Sequence, residues 1–251
     1  MKMTRAKFFQ WIMLGWTDIV LEYRRTKIGP LWQTLQVIVL TAGLVVVFGG
    51  MRRGIENFPA YVLCGLILWN FISITIIGGG RVFNRQAGLI RDTTAPLELY
   101  IVRELTVFTI RMFFQMVAYV LAIFVFDVTI NWYILCFIPA IAVYIFTALW
   151  LMPMVGIWIT RFPDFGPFMQ AVMRFLFFLT PVFWGPGGNS MRQYLYLYNP
   201  FTHFLNIARQ PLLGQPPDAQ SWVIVLIFTS LGAMVSGLLY MRKRDFIVYW
   251  L

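Results

Sequence analysis

Between Arg161 and Trp184 the chain reads RFPDFGPFMQAVMRFLFFLTPVFW, and this stretch constrains what the rest can fold into. A charged turn, Arg161 to Asp164, leads into an apolar run long enough to cross the ~30 Å hydrocarbon core of a bilayer, which takes about 20 helical residues. The run carries Arg174 near its middle. It then breaks at Pro181 into an aromatic segment rich in glycine and proline, Phe183 to Gly188. A span with a charge inside it, followed by backbone too broken to span, reads as part of a pathway through a membrane and not only as an anchor in it.

Composition agrees. The chain is 60% hydrophobic and 12% charged, against roughly 45–50% and 25% in soluble domains. Its apolar runs lack the alternation of barrel strands, so the expected elements are helices, which satisfy every backbone group within one segment. The formal charge of +10 then belongs to basic cytoplasmic loops and does not imply nucleic-acid binding. Cys64 and Cys136, the two cysteines, both fall in apolar spans, which argues against a disulfide framework. No cleaved leader is expected, because Gln10 and Asp18 interrupt residues 8–21 and no small-x-small site follows.

Residues 5–27 are expected to form an amphipathic helix lying on the membrane. Phe9, Ile12, Met13, Trp16, Ile19, Val20 and Tyr23 recur at helical spacing, with Gln10, Thr17, Asp18 and Glu22 mostly off that stripe. Lys2, Arg5, Lys7, Arg24, Arg25 and Lys27 flank it, as suits an anionic membrane surface. Gly29-Pro30 ends this helix and opens the first of six spans, about 31–50, with Gln33, Thr34 and Gln36 at its entry. The other spans cover about 59–80, 105–126, 132–159, 165–184 and 221–241, the fourth kinked by its prolines. Residues 81–104 are too polar to cross and form a cytoplasmic connector with a short helix after Ala95-Pro96. Residues 184–219 hold two short apolar pieces divided by Asn199-Pro200, which is the pattern of a re-entrant hairpin. The expected fold is therefore a single all-α integral membrane domain: an interface helix, six transmembrane helices, and a hairpin before the last span. Lys and Arg concentrate on the side of both termini, whereas the opposite loops hold only Arg52, Arg53, Arg192 and Arg209, so both termini are assigned to the cytoplasm.

Several chemistries lack their residues. No G-x-x-x-x-G-K-[ST] occurs, and none of the four lysines follows glycine, so the chain has no P-loop. His203 is the only histidine, which leaves no metal cluster, and no carboxylate sits deep in a span to relay protons. No catalytic residue is nominated. Arg111 and Arg174, two to three turns inside spans, admit two readings: contact with an anionic or hydroxylated substrate, or snorkelling to the headgroups. The aromatics of the hairpin also admit two, an interfacial belt or a surface for a sliding sugar chain. Gly232/Ser236 and Ala233/Gly237 in span six suggest close helix packing.

With Tyr23-Arg-Arg-Thr-Lys-Ile-Gly-Pro-Leu-Trp32, Arg161-Phe-Pro-Asp164, Thr180-Pro-Val-Phe-Trp184, and Asn199-Pro200 followed by Arg209 and Leu212-Leu-Gly214, the whole chain resembles the permease subunit of ABC-2 type exporters. It is most similar to the branch that exports bacterial O-antigen and capsular polysaccharide. The resemblance implies a homodimer in the bacterial inner membrane, working with two copies of a separate ATPase that carries ATP and magnesium. It implies no cofactor in this chain and no enzymatic activity of its own. The 81–104 connector would hold the coupling helix, with Arg85, Arg91, Asp92, Pro96, Glu98 and Glu104 at the ATPase. The interface helix would add Trp16, Tyr23, Arg24 and Arg25. Spans one, two and five would line a channel at the dimer interface. The channel and its gate would take Arg174, Phe183, Trp184, Tyr194, Tyr198, Phe201 and Phe204, with lipid-linked polysaccharide as cargo and membrane lipids as neighbours. Export of a small amphiphile, a drug or a lipid, is the competing expectation. A membrane glycosyl- or acyltransferase subunit would need a polar catalytic cluster. Only Asp164 and Glu98 with Glu104 come near one, and they fit helix-end and loop charges better.

Overall fold

The computed structural model describes residues 5–51, 55–186 and 190–251; Lys2, Arg52, Arg53, Gly187 and Gly188 lie outside them. Eleven α-helices are found among these residues, and no strand. α1 (Arg5–Tyr23) precedes α2 (Trp32–Phe48) and α3 (Phe58–Ile77). The short α4 (Val82–Arg85) and α5 (Ala87–Asp92) lead to α6 (Leu97–Val125) and α7 (Phe137–Arg161). α8 (Phe165–Leu179), the paired α9 (Ser190–Tyr198) and α10 (Pro200–Leu212), and α11 (Ala219–Trp250) complete the chain. Five helices are long and apolar enough to cross a membrane, and α8 is a shorter apolar one. The chain is an all-α membrane protein of about six spans.

Local chemistry sets the boundaries. Gly29 takes a left-handed φ of 62°, open to glycine without strain, and Pro30 starts the turn that feeds α2. The Asn199 side chain accepts from Phe201 N at the start of α10, where Pro200 needs no partner. Asp218 caps α11 by accepting from Gln220 N and Ser221 N. α7 runs through the buried Pro153, which removes the bond that residue would have donated one turn back.

α3 sits at the centre. Of its apolar stretch 72% is buried, against 17% in α2 and in α11, whose outward faces are left for lipid or another chain. Lipid is as apolar as leucine, so burial between spans yields little transfer free energy and close packing must do the holding. Gly65 shows this on α3, because a Cβ there would stand 2.7 Å from the Val182 carbonyl oxygen. In α11 the small-residue register in use is Gly232/Ser236: Gly232 lies against the Trp150 ring, and Ser236 Oγ donates to the Trp150 carbonyl. Gly237 of the other register meets nothing within 4 Å.

Three boundaries depart from the sequence expectation. The connector does not end at Glu104; α6 begins at Leu97 and continues unbroken to Val125. Arg103 and Glu104 are thus helical, and ion pairs with Asp18 and Arg85 let the helix carry them. The fifth span is expected to reach residue 184, but α8 stops at Leu179 after 15 residues, about 22 Å at 1.5 Å per residue. Thr180-Pro181 turns the backbone out of the helix there, since proline disfavours helical geometry in the residue before it; Thr180 has ψ 139°. The last helix extends past the basic run 242–244 to Trp250.

Candidate functional site

The helices alternate in direction, so the molecule has two ends: a basic end, with α1, α4, α5 and the 161–164 turn, and a hairpin end, with α9 and α10. Each end holds a polar constellation.

At the hairpin end the broken segment 180–184 is buried and tied down from three helices. Arg209 of α10 is 2% exposed. Its Nη1 donates to the Pro181 carbonyl at 2.6 Å, its Nη2 to Asn206 Oδ1 at 3.1 Å, and its guanidinium lies 3.8 Å from the Tyr61 ring centre. Tyr61 Oη is 3.2 Å from the Pro181 oxygen and 3.0 Å from the Trp184 oxygen and can donate to either. Asn199 Nδ2 donates to Thr180 Oγ1 at 3.0 Å and to the Leu179 carbonyl at 3.3 Å, and Trp184 Nε1 to the Phe178 carbonyl at 3.1 Å. No carboxylate pairs with Arg209 among the described residues. The cost of desolvating its charge is offset by carbonyl and amide oxygens and an aromatic face. Arg209 and Tyr61 also line a cavity of about 300 Å³ with Glu56, Asn57 and Tyr196. His203 is buried between Ser221 Oγ and the Leu197 carbonyl, 2.9 Å from each, and serves as a tie between α10, α9 and α11.

At the basic end α1 is fastened along α6. Arg103 Nε and Nη2 fork onto both oxygens of Asp18 at 2.6 Å, and Arg111 Nη2 donates to Glu22 at 2.7 Å. The protein-facing side of α1 is therefore Trp11, Gly15, Asp18, Ile19 and Glu22; Phe9, Met13, Trp16 and Val20 remain exposed. Gly15 allows the contact, because a Cβ would stand 2.8 Å from the Arg103 carbonyl oxygen. The connector joins the same node: Gln86 accepts from Arg103, Arg85 donates to Glu104, both at 3.4 Å, and Thr93 Oγ1 lies 2.8 Å from Tyr100 Oη.

Above this node lies a cavity of about 420 Å³ between α2, α3 and α6, reached by Gln33, Gln36, Asn70, Ser73, Arg85, Arg111 and Gln115. Gln33 Nε2 donates to Tyr23 Oη at 2.6 Å, and Gln115 Nε2 to Gln33 Oε1 at 3.4 Å. Ser73 Oγ and Arg111 Nε are buried without a hydrogen-bond partner.

The candidate residues separate into groups. Of those assigned to coupling, Arg91 and Asp92 are exposed on α5, Arg85 is exposed at the end of α4, Pro96 and Glu98 are half-buried, and Glu104 is buried under Arg85. On α1, Trp16, Arg24 and Arg25 are exposed and Tyr23 turns inward to Gln33. Of the gate residues, Phe183, Trp184 and Phe204 are buried inside the chain, and Phe201 packs on Trp69. Tyr194 and Tyr198 are exposed and stacked on each other, ring centres 6.2 Å apart. Arg174 is exposed on α8, with a single 3.4 Å bond to its own helix. It stands on an uncovered stripe with Phe168, Phe175 and Phe178. Tyr61 is not singled out by the sequence; Arg209 is, as a loop charge and beside Asn199-Pro200 in the resemblance, but with no role in a site.

The described residues thus form an all-helical membrane domain with a clamped broken span and a polar cavity between α2, α3 and α6. The family described as ABC-2 type transporter matches residues 9–213, from α1 through α10. The chain belongs to that family: it is the multi-pass permease of an ABC transporter, and permeases of this kind work with an ATPase subunit. No curated protein matches the chain.

Proposed function

We propose that this chain is the channel-forming subunit of an ATP-driven exporter of lipid-linked cell-surface polysaccharide, O-antigen or capsule, in the bacterial inner membrane. It acts as a homodimer with two ATPase copies, which bind ATP and magnesium, and its basic end faces the cytoplasm. One observation carries the reading. Among the surfaces left uncovered on the single chain, two are rich in aromatic rings: an α8 stripe of Phe168, Phe175 and Phe178 around Arg174, and the stacked Tyr194 and Tyr198 on α9. Aromatic faces with polar tips give a sugar chain sites to stack on without holding it in one place. Paired across a dimer, two such stripes would line one passage. Exposed α5, with Leu89, Arg91 and Asp92, is the surface offered to the ATPase, and the Arg103 node joins it to α1 and α6.

The test is where long-chain polysaccharide lies in cells lacking the protein. Polymer trapped inside with synthesis intact is expected. Normal surface polymer would refute polysaccharide export as the cargo path and leave export of a small amphiphile, to which an apolar α8 stripe is also suited. In that case short hydrophobic compounds, and no lipid-linked glycan, would stimulate the partner ATPase.

A further inference from the structure

The cavity at the basic end lies inside one chain, apart from the α8 stripe. Three separate apolar helices each bring a polar pair to it, Gln33 and Gln36 from α2, Asn70 and Ser73 from α3, and Arg111 and Gln115 from α6. The pairs recur at three or four residues, so each occupies one face of its helix. Four carboxamides supply donors and acceptors together, which is what a polyol needs. Phe71 and Phe108 supply apolar walls. No carboxylate lines the cavity; Glu22 and Glu104 hold Arg111 and Arg85 from outside it. Ser73 Oγ and Arg111 Nε have no partner in the protein, and buried polar groups of that kind are ordinarily met by something. The volume, about 420 Å³, falls in the range of small-molecule sites, roughly 300–1,000 Å³.

We propose that this cavity binds the hydroxyl-rich, phosphate-bearing headgroup of a glycolipid, the carboxamides and Ser73 taking sugar hydroxyls and Arg111 the phosphate. The identity of that glycolipid as cargo rests on the export reading. Gln33 also donates to Tyr23 and accepts from Gln115, so an occupant that engages these carboxamides is felt at the end of α1.

The experiment uses the full chain in phosphatidylcholine nanodiscs with Ser73→Cys as reporter, the parent chain measuring background from Cys64 and Cys136. The introduced thiol is expected to react with an anionic methanethiosulfonate well above background. A polyprenyl phosphate-linked hexose at about four times its Kd slows that reaction about fivefold. Arg111→Gln abolishes the slowing, whereas Glu22→Gln, which breaks the same ion pair from the other side, leaves it intact. Equal loss in both variants means that Arg111 only holds α1 and overturns the proposal. So does a thiol no more reactive than the parent, or a rate that neither the polyprenyl phosphate-linked hexose nor phosphatidylglycerol changes; Gln36→Cys repeats the measurement should Ser73→Cys fold poorly. Slowing by phosphatidylglycerol alone supports the phosphate site and makes bulk lipid its source. Because polymer location in deletion cells is scored separately, polymer trapped there with no protection here refutes the site and not the export reading.

Discussion

The two ends of the permease treat polar groups in opposite ways. At the hairpin end the backbone freed by the Thr180-Pro181 break is met by Arg209, Tyr61 and Asn199, and the segment is buried. At the basic end seven polar side chains converge on open volume, two of them with an atom that meets no partner. In a membrane an unmet backbone carbonyl is costly, so a broken span survives only where the protein closes around it. Side chains that converge without closing leave their bonding capacity free. The clamp accordingly reads as structure that fixes the broken span, and the cavity as a place for something that comes and goes.

If that contrast is right, substitutions in the clamp change stability and those in the cavity change binding. The largest effect belongs to Arg209→Ala, which strands the Pro181 carbonyl and removes the guanidinium from Tyr61. A loss of about 3 kcal/mol is expected in denaturant unfolding of the detergent-solubilised chain. Arg209→Lys recovers less than half, since an ammonium cannot fork to Pro181 and Asn206 while stacking on Tyr61. An unchanged midpoint for Arg209→Ala would break the comparison. Next comes Arg103→Ala at the basic end, which frees α1 from α6 and from Gln86. Backbone amides of residues 9–22 should exchange about 30-fold faster, or about 2 kcal/mol of local stability, with the clamp unaffected. Exchange that rises equally at 199–212 would mean that the two ends are one cooperative unit. Tyr61→Phe removes a single hydroxyl shared by two carbonyls and should cost about 1 kcal/mol, because Arg209 still serves Pro181.

Much of this organisation is legible in the residues. Hydropathy alone places the helices, because lipid demands apolar length and internally bonded backbone. Asn199-Pro200 and Gly29-Pro30 mark helix starts through capping and a fixed φ, which are local effects. The early end of α8 is local, set by Thr180-Pro181, but the errors at Arg103, Glu104 and Arg209 share a cause, the dependence on partners distant in sequence. Arg103 and Glu104 read as loop because their charges look incompatible with a span, and nothing local reveals Asp18 and Arg85. Arg209 reads as an outside-loop charge for the same reason, its partners being 28 and 148 residues away at Pro181 and Tyr61. Arg111 shows the converse: both of its readings, substrate and headgroups, looked away from the protein, and neither anticipated Glu22 on α1 as its ionic partner. The cavity was half visible in Gln33 and Gln36. That Asn70, Ser73 and Gln115 face the same volume follows only from how α2, α3 and α6 pack.

The smallest effect on stability is the most discriminating. Ser73→Ala deletes a hydroxyl that bonds to nothing in the protein, so unfolding should shift by no more than about 0.5 kcal/mol in either direction. A serine serving only the helix would instead return its hydroxyl to the carbonyl one turn back, as Thr106 and Thr109 do on α6 at 2.8 Å. Its removal would then cost roughly as much as theirs. Comparing Ser73→Ala with Thr109→Ala in the same unfolding assay therefore separates a hydroxyl bonded to its own helix from one that bonds to nothing in the protein. Equal destabilisation by the two would erase the distinction between the clamped break at Pro181 and the unmet hydroxyl at Ser73. A neutral Ser73→Ala that nonetheless weakens retention of the phosphohexose lipid would draw that distinction at a single oxygen atom.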